Sequence, residues 1–107
     1  MPAFTCRYTK AFTLAAGVPE TIDIPIDGAR DWKVIARNDG ANDVDAGSAA
    51  RSPLGTLFDD ALAIPLANLP PAGLAMVIDG ESEPLTTLRL VLSSTLGTTL
   101  TIEAGGW

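Results

Sequence analysis

The chain has 107 residues, 47% of them apolar but only six aromatic, and thirteen acidic against seven basic side chains give it a net charge of −6. This length makes one domain, 1–107, that buries about 65% of its unfolded surface without staples, around an aliphatic core that by default holds no cofactor. The acidic balance argues against nucleic acid and anionic membranes as partners. The lone Cys6 excludes an internal disulfide framework, and the absence of histidine removes the usual general base, the Ser-His-Asp and Cys-His arrangements and the commonest zinc ligand.

In chain order, Phe4, Cys6, Tyr8, Lys10 and Phe12 alternate with Thr5, Arg7, Thr9, Ala11 and Thr13, which predicts a first strand with Cys6 as a small buried apolar group. This opening stretch lacks the basic start and apolar run of a secretory signal, and no segment approaches the roughly 18 apolar residues of a membrane span, so synthesis in the cytoplasm is expected. After a turn at Leu14 to Pro19, Ile22, Ile24 and Ile26 define a core-facing strand with Pro25 on its outer side, the mark of an edge or a bulge. Trp32, Val34 and Ala36 give a third strand, and Asp39-Gly40 predicts a hairpin into Val44, Ala46 and Ser48.

Residues 51 to 60 break the rhythm: Leu54, Leu57 and Phe58 are too apolar for a solvated loop, so the segment either folds back onto the core or meets another chain. A single helical turn at most is allowed over 57 to 63. A short run at Ala61 to Leu66 and a stiff turn through Pro70-Pro71 lead to Leu74, Met76 and Ile78, which echo Ile22, Ile24 and Ile26 and, like them, precede Asp-Gly. An acidic turn from Gly80 to Pro84 follows. Leu88, Leu90 and Leu92 then form a strand that Thr95-Leu96-Gly97 turns as a hairpin into Leu100 and Ile102. Seven to eight such strands with almost no helical periodicity predict an all-β, two-sheet antiparallel sandwich or jelly roll, built as two similar meanders.

Chemistry is sparse. Asp59 with Asp60, Asp43 with Asp45, and Glu81 with Glu83 are the carboxylate pairs a glycosidase would need, but each sits where turn acids are common. The acidic turn over 38–45 has oxygen ligands that calcium favours, without EF-hand spacing or a closing glutamate; hairpin chemistry explains the same residues, so no metal site is assigned. No phosphate-cradling glycine motif occurs. The reading is therefore of a protein without enzymatic activity. Trp32 is expected in the core, whereas Trp107, after two glycines, is either a folded-back tail or an anchor for a neighbour.

The turn Leu14-Ala15-Ala16-Gly17 before Thr21 to Ile26, the run Trp32 to Gly40, and the late segment Leu88 to Ala104 resemble, in texture, the small β-sandwich virion proteins of tailed bacteriophages. That resemblance implies a capsid decoration or cement protein located on the virion, forming a trimer or other small homo-oligomer and binding the major capsid protein or another virion component. Leu54, Leu57, Phe58 and Trp107 are the interface candidates. The alternative is a carbohydrate-binding or adhesion module, against which the small number of aromatic rings speaks.

Overall fold

The computed structural model describes residues 6–59, 62–63, 69–81 and 84–107, and for Cys6, Leu62, Ala63, Leu74, Ala75, Met76 and Ile78 the backbone alone. Phe4, Thr5, Asp60, Glu83 and the expected run from Ala61 to Leu66, apart from Leu62 and Ala63, lie outside the described residues.

Eight strands are present among the described residues: β1 (Cys6–Leu14), β2 (Glu20–Ala29), β3 (Trp32–Asn38), β4 (Ala46–Ser52), β5 (Leu62–Ala63), β6 (Leu74–Gly80), β7 (Leu85–Ser93) and β8 (Thr98–Gly106). They form two antiparallel four-stranded sheets, ordered β1-β8-β3-β6 and β2-β7-β4-β5. No helix occurs among the described residues, and none could cross a membrane. The all-β sandwich is thus what the alternating patterns predicted.

Its connectivity is not that of two meanders. β1, β3, β6 and β8 lie in one sheet and β2, β4, β5 and β7 in the other, so the chain crosses the sandwich at nearly every turn and only β4 and β5 are paired chain neighbours. The pairs nest as β1 with β8, β2 with β7, β3 with β6 and β4 with β5, which is jelly-roll topology. Both expected hairpins are therefore arches between sheets. At the first, neither Asp39 nor Gly40 takes the positive φ that a tight two-residue hairpin needs. Instead Gly40 N–H donates to the Asn38 side chain (3.0 Å), a local turn that sends the chain over the core.

The core lies between the sheets, where alternation points it. Ile22, Ile24 and Ile26 of β2 meet Leu88, Leu90 and Leu92 of β7 in the one sheet, facing Trp32, Val34 and Ala36 of β3 and Leu100 and Ile102 of β8 in the other, all buried. Full burial of each large aliphatic chain contributes about 1.5–3 kcal/mol. β4 departs from the expected phase: Val44 is buried in an isolated bridge to Leu69, but from Ala46 onward it is Ala49 that points inward. The break at Asp45, which turns aside to bond Thr95, shifts the alternation by one residue. The side chains of Leu74, Met76 and Ile78 lie outside the described part. Val77 is buried where the β3–β6 register slips between Val34 and Ile35.

One buried polar group ties the arches together. Asn38 Nδ2 donates to the carbonyls of Asn42 (2.7 Å) and Leu69 (3.0 Å), while its Oδ1 accepts from Gly40 N (3.0 Å) and Thr98 Oγ1 (2.8 Å). Every hydrogen-bonding site of that amide is used, as a buried amide requires.

Candidate functional site

The end of the sandwich where β3 begins and β8 finishes is shaped by two tryptophans and two glycines. Trp32 opens β3 and stands in register with Gly80 on β6 and Gly106 on β8. A Cβ on Gly80 would fall 2.4–2.6 Å from the Trp32 indole, and one on Gly106 would fall 2.8–2.9 Å from Ala29 Cβ, Asp31 O and Trp32 Cβ. Glycine at 80 leaves room for the buried ring, and glycine at 106 for Trp32 Cβ and the β2–β3 turn.

Trp107 continues β8 beyond that floor. Its N–H donates to Asp31 O (2.9 Å), and its carbonyl accepts from Arg30 N (3.0 Å) and Asp31 N (3.2 Å). The residue is held against the β2–β3 turn rather than extending as an arm, while its side chain stays 44% exposed.

The indole separates two hollows. One, of about 300 Å³, lies on the outer face of the β1-β8-β3-β6 sheet and is lined by Arg7, Thr9, Lys33, Ile35 and Glu103 beside Trp107. The other, of about 420 Å³, wraps the sheet end and is lined by Asp31, Lys33, Asp79 and Glu81 with Trp32 and Trp107. Period two explains the first set, because Arg7, Gly105, Lys33 and Asp79 form one outward row across all four strands. In the second hollow three carboxylates face one lysine, so its field favours cations. Asp79 and Glu81 form no hydrogen bond or ion pair with any described residue. They remain available to a ligand.

Several of the other acids have structural work. Asp39 accepts from Arg37 Nε (2.6 Å) and Thr101 Oγ1 (2.5 Å), and the Arg37 guanidinium holds its carboxyl below the ordinary range. Asp45 accepts the Thr95 backbone N–H, which lowers it likewise, and Ser94 Oγ donates to Asp43 O (2.6 Å). Through Asp39, Asp43 O and Asp45 the 38–45 turn thus joins the β3–β4 arch to β8 and to the β7–β8 arch. No group of three or more His, Cys, Asp or Glu residues able to hold a metal occurs among the described residues. Of the expected carboxylate pairs, Asp59 is bound to Arg51 N (2.7 Å) and Nε (3.1 Å), while Asp60 and Glu83 lie outside the described residues.

The 53–59 loop divides its apolar residues. Ser52 Oγ accepts from Gly55 N (2.9 Å) and Thr86 Oγ1 donates to Pro53 O (2.7 Å), pinning the loop at the end of the β4–β7 pair. Phe58 folds back, with the Arg89 guanidinium 3.9 Å from its ring centroid, and Arg89 is itself held by Asp23 through Nε (2.8 Å) and Nη2 (3.0 Å). Leu54 and Leu57 instead project into solvent, 86% and 83% exposed. Of the four residues singled out in the sequence, Leu54, Leu57 and Phe58 thus share one loop, and Trp107 belongs to the two-hollow site. The sequence reading passed over Asp31, Lys33 and Asp79 there; the period-two pattern that set Lys33 opposite Trp32 was the available signal.

No protein-family model matches the chain, and no curated protein matches it. Among the solved structures that share its fold are two of chitosan-binding module 1 from a chitosanase/glucanase of Paenibacillus sp. IK-5. A selenomethionine-labelled mutant of that module superposes with a TM-score of 0.56 at 13% identity, covering 90% of this chain and 75% of its own. A second structure of the module gives 0.52 at 14% identity, covering 95% and 77%. At these identities the likeness is one of fold.

Proposed function

We propose that this chain is a non-catalytic glycan-recognition module whose ligand is a polysaccharide bearing amino groups. The observation that carries the reading is the acid-lined hollow of Asp31, Asp79 and Glu81 beside the half-exposed Trp107 indole. Sugar rings stack on indole faces through their C–H edges, and an ammonium group finds in the hollow a field of the right sign. The fold shared with chitosan-binding modules and the overall charge of −6 support the same ligand class.

Isothermal titration with glucosamine oligomers, N-acetylglucosamine oligomers and cello-oligomers tests it. The amino form should bind, more weakly as salt rises. Trp107→Ala should weaken binding by at least about tenfold with the fold intact by circular dichroism. Absence of binding to all three sugars, or an unchanged Kd in Trp107→Ala, refutes the assignment.

A second reading, a decoration subunit that assembles on a phage head, draws on Leu54 and Leu57, two exposed apolar side chains of one loop. It requires a small homo-oligomer that Leu57→Asp dissociates. A monomer by light scattering that ignores assembled capsid shells removes it.

A further inference from the structure

Three aspartates of this chain precede glycine: Asp27-Gly28, Asp39-Gly40 and Asp79-Gly80. An aspartyl–glycyl bond is where a side-chain carboxyl carbon most readily reaches the next backbone nitrogen, since glycine has no Cβ to restrict the approach. The fold treats the three very differently. We propose that Asp27 is a site of spontaneous covalent modification, isomerising to isoaspartate while Asp39 and Asp79 are protected.

In the reaction the Gly28 nitrogen bonds to Asp27 Cγ. The amide proton and the carboxyl hydroxyl leave as one water, giving a cyclic imide. Water then adds back: attack at Cγ restores aspartate, whereas attack at the main-chain carbonyl carbon breaks its bond to the Gly28 nitrogen. The chain then runs through the former side chain, with a new carboxylate on the α-carbon. One water leaves, one enters, and nothing is oxidised or reduced.

At Asp27 no contact with a described residue opposes that path. The β2–β7 register is interrupted between Pro25 and Ala29, so neither Asp27 nor Gly28 has a ladder partner among the described residues. Both are exposed, and a Cβ on Gly28 would meet nothing within 4 Å. Asp27 has φ +57°, a region that disfavours side chains, and Gly28 has φ +82°, so local opening relieves strain rather than adding it. Asp39 is the opposite case. Both its oxygens are held by Arg37 and Thr101, Gly40 N is committed to Asn38 Oδ1, and a Cβ on Gly40 would strike Thr98. The nucleophile and the electrophile are each tied down, and the lowered pKa of Asp39 leaves less of the protonated carboxyl that loses water. Asp79 lies in β6 opposite Lys33, and Gly80 is pressed against the Trp32 ring, so the backbone there cannot swing.

The test is to hold the full chain at neutral pH and body temperature for several weeks and map isoaspartate by electron-transfer fragmentation, in buffer and in concentrated urea. In buffer, isoaspartate at position 27 should exceed that at 39 and at 79 by at least about tenfold, the factor that one unrestrained backbone residue represents. In urea, where the fold no longer discriminates, the three should converge. Asp27→Glu should abolish the signal at 27 and leave the others unchanged. Faster conversion at 39 or 79 in buffer, no conversion at 27, or a preference for 27 that persists in urea would each overturn the proposal.

Discussion

Gly80→Ala probes how the floor of the two-tryptophan site is built. The added methyl would sit 2.4, 2.5 and 2.6 Å from Cε2, Cζ2 and Nε1 of Trp32, about 1 Å inside ordinary carbon contact. The indole has little room to retreat, because Trp32 is 1% exposed and its Cβ is hemmed in by Gly106 on the neighbouring strand. Overpacking of this severity costs about 3 kcal/mol, and the smaller entropy of the unfolded alanine chain offsets about 0.7 kcal/mol of it. The net loss of about 2 kcal/mol, divided by an unfolding entropy of roughly 2.1 cal/mol/K per residue, lowers Tm by about 9 °C. Calorimetry on the parent, Gly80→Ala, Trp32→Leu and the double variant measures this and isolates its cause. Trp32→Leu removes all three ring atoms that clash, so the glycine substitution should cost at least about 1 kcal/mol less in that background. An equal cost in both backgrounds, or a loss below about 0.5 kcal/mol in the first, would refute the close-packing argument.

Two further outcomes follow from the polar contacts. Asn38→Ala strands Asn42 O, Gly40 N and Thr98 Oγ1 and takes one of its two donors from Leu69 O, which keeps Val44 N–H, and should cost about 3 kcal/mol in urea melts; Asn38→Asp, which sets a carboxylate against two carbonyl oxygens, should cost more. Asp23, Asp39 and Asp45 are held below the ordinary aspartate value of 3.8, by Arg89, Arg37 and the Thr95 N–H respectively. A lowered folded pKa means that each contribution is complete above the unfolded value and lost as pH falls through the folded one. Tm should therefore hold from neutral pH down to about 5 and decline below 4, modestly because these groups are exposed, and a decline that begins above pH 6 would contradict the assignment.

How far the sequence could be read depended on the kind of signal. Ile22, Ile24 and Ile26, like Leu88, Leu90 and Leu92, announced the faces they bury, because period two and burial on one side are the same fact stated twice. Partners are a different matter. Asp39-Gly40 has the composition of a hairpin turn, yet the same residues serve an arch between sheets. The choice rests on the Asn38 side chain reaching Gly40, Asn42, Leu69 and Thr98, contacts spread from 2 to 60 residues along the chain. The candidate site was half legible. Trp107 stood out at the end of its strand, but Asp31, Asp79 and Glu81 are scattered in sequence and become neighbours only when β6 aligns beside β3. Likewise Phe58 reads as a sticky side chain until Arg89, 31 residues on, is seen covering its ring.

The nested pairing of strands also sets an order of events for a newly made chain. Joining β1 to β8 directly would close a ring of nearly the whole polypeptide, at the loop entropy of that length, whereas once the inner pairs exist only two strands remain to be laid down. The cheapest route zips from the middle outward, and with almost every contact non-local it is slow. Trp107, fixed at the end of the outermost pair, is then seated last, so the two hollows it divides take shape only in molecules that have finished folding.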